Sequence, residues 1–326
     1  MVNHSSALFV ALIREALARQ GITPPALADY QPRATTTSLA AKKELLENVL
    51  ATHGPGPLLR IGLALDAFVE TPLAGVLGSA RDPFDLLARW RRLERYYHSR
   101  HRTRSIAAAP NSVVIEHFQR SGPPPGMAED LVVAAVLAAL VAWLGAQGVA
   151  LDFTSEEGNW PAMRNGEPVE PCLAVPPVDC KCWALSWSEF APRCEIVTPP
   201  EAAPARWVST GFKLDDPTVR KIFLTVFGDP TRQISLAQCA SGLGLSGRTL
   251  QRRLAASGAG FKDVVALARL EVAARTLVET ATPLVEVGFL AGYSDQAHFS
   301  REFHRGTGMS PSSFRDLTDS TQPEPA

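Results

Sequence analysis

Residues 283–311 (PLVEVGFLAGYSDQAHFSREFHRGTGMSP) constrain the fold most, because their apolar residues fit two short helices around a glycine-containing turn. Phe299 and Phe303 are four residues apart, which places both on one face of the second helix. Ser294 or Asp295 can cap that helix. Its opposite face carries Ala297 and three polar residues that are candidate DNA contacts, Gln296, His298 and Arg301. This arrangement predicts a helix-turn-helix unit, whose apolar face fixes the crossing of the helices and whose polar face fits a major groove.

A second segment, residues 234–254, repeats the pattern upstream (ISLAQCASGLGLSGRTLQRRL). Leu250 and Leu254 form the inward face of its second helix, which Ser246 can cap. The predicted DNA contacts on this helix are Arg248, Thr249, Gln251 and Arg252. Arginine pairs with guanine and glutamine with adenine, so these residue types suit base readout. Residues 261–280 predict one amphipathic helix, which would join the two helix-turn-helix units.

Three stretches of this C-terminal part resemble the AraC/XylS family of bacterial transcription regulators: LSGRTLQRRL, ARLEVAARTL and GYSDQAHFSREFHRGTGMSPSSFR. The resemblance covers residues 215–317, and position 288 is Gly where the family usually carries Ala. The N-terminal part resembles, more loosely, the arabinose-binding-type effector domain found in one subgroup of the family. These resemblances imply double-stranded promoter DNA, a small-molecule effector and RNA polymerase as partners. They also imply a homodimer that activates transcription.

A chain of 326 residues is long enough for two domains. Residues 1–197 mix helical and strand patterns and predict an α+β domain for effector binding and dimerisation. Residues 198–214 are rich in Pro and Ala and predict a linker. Residues 215–317 predict an all-α DNA-binding domain, and residues 318–326 a disordered tail. The N-terminal elements are predicted as helices at 8–20, 38–51, 82–98 and 130–146, strands at 105–109, 112–119 and 149–153, and a loop over 155–183.

Charge and hydropathy add weaker constraints. The net charge of −1 does not by itself indicate a nucleic-acid partner, although residues 212–317 carry a small basic excess. Residues 131–144 are the most apolar stretch, but they are shorter than the ~20 residues of a membrane span. We expect a buried or dimer-interface helix there, and no membrane association. Because no secretory signal is recognisable, we expect the protein in the cytoplasm.

An arginine-rich run at residues 89–104 allows two interpretations. It could capture an anionic effector, since arginine forks match the geometry of carboxylates and phosphates. The candidate residues are Arg91, Arg95, Arg100, Arg102 and Arg104. Alternatively, the run is a solvated helix face whose arginines pair with local carboxylates such as Asp85 and Glu94.

Four cysteines within a short stretch form a second candidate site: Cys172, Cys180, Cys182 and Cys194. They could bind zinc or sense a soft metal, an oxidant or an alkylating agent. Their irregular spacing also fits buried apolar cysteines. We find no motif of a catalytic site and expect no cofactor. The sequence therefore predicts an effector-responsive DNA-binding regulator. The alternative is a regulator that senses through these cysteines, or whose N-terminal domain only oligomerises.

Overall fold

The computed structural model divides the chain into two compact units, Met1–Glu195 and Ile196–Ala326. The structure describes residues 4–23, 36–68, 71–97, 100–155, 158–170, 180–192 and 216–319. The linker predicted at 198–214 lies outside the described residues, and so does the predicted tail beyond residue 319.

The N-terminal unit is α+β, as the sequence predicts, and its strands pair antiparallel. Its helices are α1 Ala7–Arg19, α2 Leu39–His53, α3 Gly56–Leu59, α4 Pro72–Gly78, α5 Pro83–Tyr97 and α6 Met127–Leu144, with a 3-10 helix at Ile61–Phe68. Its strands are β1 His4–Ser6, β2 Thr36–Ser38, β3 His101–Ala109, β4 Ser112–Gln119, β5 Ala146–Gln147, β6 Ala150–Ser155, β7 Gly158–Arg164, β8 Glu167–Pro168, β9 Cys182–Ser186 and β10 Glu189–Phe190. The main sheet has the order β3-β4-β9-β6-β7-β8, and β1 with β2 and β5 with β10 form separate pairs.

The predicted hairpin of β3 and β4 is present, but β3 begins at His101, four residues earlier than the sequence predicts. Helix α5 covers this edge strand. The Glu94 carboxylate accepts hydrogen bonds from the Thr103 backbone N–H, at 2.8 Å, and from the Trp90 indole, at 2.7 Å. Burial raises the pKa of Glu94. This contact anchors the end of α5 beside the start of β3.

The loop predicted over 155–183 is wrong in its first half, where β7 and β8 extend the sheet. The connection between them contains Asn165 and Gly166, both with positive φ, of 53° and 88°. An Asn-Gly pair in this conformation is typical of a two-residue hairpin turn. Partner strand β6 supplies the backbone hydrogen bonds, so β7 forms despite Pro161.

Helix α6 is apolar and long enough to cross a membrane by length and composition alone, but 72% of it is buried inside the N-terminal unit. Leu131, Val132 and Val141 have no exposed surface. This burial is that of a core helix, and it agrees with the expectation for residues 131–144. At its start, Glu129 pairs with the buried Lys42 at 2.9 Å.

The C-terminal unit is helical throughout its described part. Its helices are α7 Pro217–Gly228, α8 Leu236–Gly242, α9 Gly247–Ala256, α10 Phe261–Glu279, α11 Leu284–Leu290, α12 Gln296–Thr307 and α13 Pro311–Asp319. Helix α10 matches the predicted central helix and packs against α7, α11, α12 and α13. Its inward stripe includes Val264, Ala268 and Ala274, all without exposed surface. One hydrophobic core therefore holds the unit together.

Candidate nucleic-acid interface

Helices α8 and α9 form the first helix pair of the C-terminal unit. Ser235 and Gln238 form a capping box at the start of α8. The helix ends with a bond from the Leu245 N–H to the Ala240 carbonyl at 2.8 Å. Gly244 in this turn has a φ of 65°, a conformation that favours glycine. This is a Schellman-type end, and it sharply reverses the chain before α9.

Helix α9 has a buried and an exposed face. Leu250 and Leu254 are buried in the core of the unit. Ser246 caps the helix by accepting the Thr249 N–H at 3.2 Å, as the sequence predicts, and its hydroxyl also bonds the Thr249 hydroxyl at 2.9 Å. Thr249 is half-buried, and both its backbone N–H and its hydroxyl are bonded to Ser246 at the cap. The remaining predicted contact residues, all exposed, are Arg248, Gln251 and Arg252.

Helices α11 and α12 form a second pair that repeats this geometry. The Tyr293 N–H donates to the Gly288 carbonyl at 3.0 Å, and Gly292 has a φ of 82°. Asp295 caps α12 by accepting the His298 backbone N–H at 2.8 Å. This hydrogen bond lowers the pKa of the Asp295 carboxyl. Both pairs thus join a seven-residue helix to a capped second helix through the same kind of turn.

Aromatic rings fix α12 from its inner side. Phe299 and Phe303 have no exposed surface, as predicted, and their ring centroids are 5.6 Å apart. Tyr293 contacts Phe299 at 5.3 Å, and Phe314 of α13 contacts Phe303 at 5.3 Å. Edge-on and tilted contacts of this kind stabilise aromatic clusters beyond the area that they bury. The outer face of α12 is thereby held in one orientation.

The second helices of the two pairs, α9 and α12, align with a constant offset from the cap onward. The caps Ser246 and Asp295 are 49 positions apart, and so are the buried residues Leu250 and Phe299. The same offset relates Leu254 to Phe303. Applied to the exposed residues Arg248, Gln251 and Arg252 of α9, the offset gives Ala297, Ser300 and Arg301 of α12.

The sequence-predicted contacts on α12 agree with this register only in part. Arg301 is exposed. His298 is half-buried: its Nδ1 lies 3.0 Å from the Ser294 hydroxyl, and its ring contacts Tyr293 edge-on. The side-chain oxygen of Gln296 is buried. The sequence places Ala297 on this outer face without naming it as a contact, and it leaves out Ser300, which the offset between the buried residues could have identified.

The arginine-rich run of the N-terminal unit is only in part a solvated helix face, because Arg95 is exposed on α5 whereas Arg89 and Arg92 are buried. Arg89 is buried and pairs with Asp85 at 3.1 Å. Asp85 is one of the two carboxylates that the sequence suggested as partners of these arginines. Glu94 is buried and bonded to Trp90 and Thr103, as described above. Arg104 lies on β3 and pairs with Glu116 at 2.6 Å. The other candidate residues lie on α5 or near the start of β3: Arg91, Arg95, Arg100 and Arg102.

The cysteine site remains a prediction. Cys180 is buried and Cys182 is half-buried on β9, whereas Cys172 and Cys194 lie outside the described residues. Within the residues that the structure describes, no group of three or more His, Cys, Asp and Glu side chains could hold a metal ion. Cys239, in α8, is buried, and this burial raises the pKa of its thiol.

Comparison with known proteins identifies a helix-turn-helix domain at residues 239–316. An ornithine utilization regulator of Pseudomonas aeruginosa is 36% identical over 98 residues, 30% of this chain and 28% of that protein. An AraC-like transcription regulator of Streptomyces antibioticus is 32% identical over 103 residues, 31% of this chain and 34% of that protein. The chain therefore matches well under half the length of either relative.

Among solved structures, transcriptional regulator CdpR from Pseudomonas aeruginosa aligns with 94% of this chain and 97% of its own, with 19% identity and a TM-score of 0.37. The residues that the family model matches include α9, α10, α11 and α12. The C-terminal unit therefore contains a helix-turn-helix domain that is similar to those of AraC-like transcription regulators.

Proposed function

We propose that this protein is a sequence-specific regulator that binds promoter DNA through two helix-turn-helix motifs, α8–α9 and α11–α12. The observation that carries the proposal is the repeated geometry of the two pairs. Each pair has a Schellman-type turn, and its second helix has the cap and the buried i, i+4 residues at one offset of 49 positions; the turn glycines Gly244 and Gly292 are 48 positions apart, so the second turn is one residue longer. Each pair therefore holds the outer face of its second helix away from the core, where it can enter a major groove.

Helix α9 is the main reader of base edges in this proposal. Arg248, Gln251 and Arg252 are exposed together, and arginine and glutamine have the fork geometry that recognises guanine and adenine. Thr249 contributes less, because its hydroxyl is already bonded at the cap. On α12, Arg301 is the principal contact. Gln296 and His298 can reach DNA only through the parts of their side chains that the turn leaves exposed.

The N-terminal unit has the second role in the proposal. It binds a small-molecule effector and forms a homodimer, and the DNA-bound dimer activates transcription in the cytoplasm by contacting RNA polymerase. These roles follow from the resemblance to the AraC/XylS family. The α+β fold supports them, because it has its own sheet and its own core helix, α6.

Alanine substitutions on α9 test the DNA-binding proposal. Arg248→Ala, Gln251→Ala and Arg252→Ala should each weaken specific binding by about 1–3 kcal/mol, if each removes a bidentate base contact. The measurement is a gel-shift titration of the full chain on a selected binding sequence at fixed salt, because phosphate contacts make the affinity depend on salt.

Arg253→Ala is the matched control on the same helix. Arg253 is also exposed, but the offset of the two pairs relates it to Glu302, an acidic residue that would be repelled by phosphates. Its substitution should therefore change specific binding much less than that of Arg252. Wild-type affinity in all three test variants would remove α9 from the interface.

A further inference from the structure

The arginines near the start of β3 differ in how their charges are neutralised. Arg104 is opposite Glu116 across the hairpin, pairs with it, and lies over the Phe118 ring at 4.8 Å. Arg102 is two residues away on the same face, but it is opposite Phe118, which has no charge. The Nε atom of Arg102 is buried and has no hydrogen-bond partner.

Two further arginines converge on Arg102 from other elements. Arg120 follows β4 directly, and its backbone N–H donates to the Arg100 carbonyl. Its position two residues beyond Phe118 makes it a diagonal neighbour of Arg102 on the same face of the hairpin. Arg95 lies in the last turn of α5, next to Glu94, whose bond to the Thr103 backbone anchors this turn beside Arg102.

Within the part of the chain that the structure describes, no ion pair compensates the positive charges of this cluster. Loss of hydration lowers the pKa of Arg102, and the neighbouring Arg120 and Arg95 lower it further. The carboxylate of Glu94 raises it, but that group is occupied by the Trp90 indole and by Thr103. Across the described ranges, none of these three guanidinium groups has an ion pair or a side-chain hydrogen bond. Like charges held together in this way repel each other unless an anion joins them.

We propose that Arg95, Arg102 and Arg120 form an oxyanion site, which binds a carboxylate or phosphate group of a small molecule. The half-buried Arg102 would supply the central guanidinium, and the two exposed arginines would complete the site at the surface. Guanidinium groups bind such anions through paired, charge-assisted hydrogen bonds. The inference rests on the proposed effector-binding role of the N-terminal unit and gives that effector a chemical class.

The test uses the full chain with inorganic phosphate and with citrate as separate probes, against chloride at equal ionic strength. Titration calorimetry should show saturable binding of at least one probe, and that probe should raise the thermal unfolding temperature. Binding of phosphate alone assigns the site to phosphate esters, and binding of citrate alone assigns it to carboxylates. Arg102→Gln should weaken this binding about tenfold or more, because it removes a charge-assisted hydrogen bond.

Two further variants keep the test decisive. Arg120→Gln changes an exposed residue beyond the strand, so it should weaken binding without affecting folding. Arg104→Gln is the matched control, since Arg104 already pairs with Glu116, and it should keep wild-type binding. An equal thermal shift in wild type and Arg102→Gln would indicate general salt stabilisation and overturn the site. Failure of both probes to bind would also overturn the site. A DNA gel shift on the same samples tests the proposed function separately.

Discussion

The carboxylate of Asp295 is the N-cap of α12. Because this carboxylate can be protonated, the stability that the cap contributes depends on pH. The carboxylate accepts the His298 backbone N–H, and this bond lowers the pKa of the carboxyl below its ordinary value of 3.8. The unfolded chain therefore binds more protons than the folded chain in acid. The stabilisation is fully present above pH 3.8 and is lost as the pH falls through the lowered pKa.

We expect Asp295→Ala to reduce the free energy of unfolding of the C-terminal unit by about 1 kcal/mol at neutral pH, as for other lost N-caps. The measurement is urea denaturation of residues 196–326, which contain a complete hydrophobic core. The difference between wild type and variant should shrink in acid, where the wild-type cap is protonated.

Asp295→Asn is the control for this prediction. Asparagine caps helices about as well as aspartate, so neutral stability should change little. Its side chain does not titrate, so the acid loss assigned to this cap should disappear. Asp216, which caps α7 with a similarly lowered pKa, should keep its own acid dependence in all variants. Equal stability of Asp295→Ala and wild type at neutral pH would mean that the turn, not the cap, fixes the start of α12.

Individual side chains were predictable from the sequence where the helix period decides their environment. Phe299, Phe303, Leu250 and Leu254 are buried as their four-residue spacing indicates. Gln296 and His298 were assigned to an open outer face, but both lie in the first turn of α12, where the chain reversal covers part of their surface. A helical wheel does not include the turn that precedes the helix, and this explains the difference.

At the scale of elements, the two turn glycines have the same conformation but different surroundings. A Cβ atom at Gly244 would meet no atom within 4 Å. A Cβ atom at Gly292 would lie 1.9 Å from the Pro230 carbonyl oxygen, because the loop after α7 packs against this turn. The second turn is therefore locked by backbone that comes from another part of the unit, whereas the first turn is open.

This difference predicts unequal costs for one substitution. Gly244→Ala should destabilise the C-terminal unit by about 1–2 kcal/mol, the cost of a left-handed conformation at a residue with a Cβ. Gly292→Ala should cost about 3 kcal/mol or more, because the overlap with Pro230 adds to that strain. Denaturant unfolding of both variants measures the difference. Equal losses would show that the loop at Pro230 moves away without cost.

The elements of the C-terminal unit were more predictable than those of the N-terminal unit, for a physical reason. Its helices have local caps and local apolar stripes, so 261–280 and the two pairs can be recognised from short windows of sequence. Strands β7 and β8 depend on a partner, β6, and have no strong pattern of their own. Only the Asn165-Gly166 turn marked this hairpin in the sequence, and it was not used.

At the scale of the whole molecule, the two helices proposed to read DNA, α9 and α12, are joined by one hydrophobic core. Helix α10 packs against α7, which contacts α9, and directly against α12. We therefore expect α9 and α12 to keep a constant spacing. If both enter major grooves on the same side of B-DNA, that spacing should be near one helical turn, ~34 Å.

This arrangement predicts the shape of the DNA footprint. The full chain should protect two successive major-groove segments on one face of the duplex for each bound monomer, with paired half-sites for a dimer. Arg252→Ala should weaken protection in one segment and Arg301→Ala in the other, so each variant is the control for its partner.

Because Ala297 and Ser300 replace the bulkier Arg248 and Gln251 at the equivalent positions, the α12 segment should be the less sequence-selective. Hydroxyl-radical footprinting on a selected sequence measures this directly. Protection confined to one major groove would leave α12 with a structural role and rule out the two-motif arrangement.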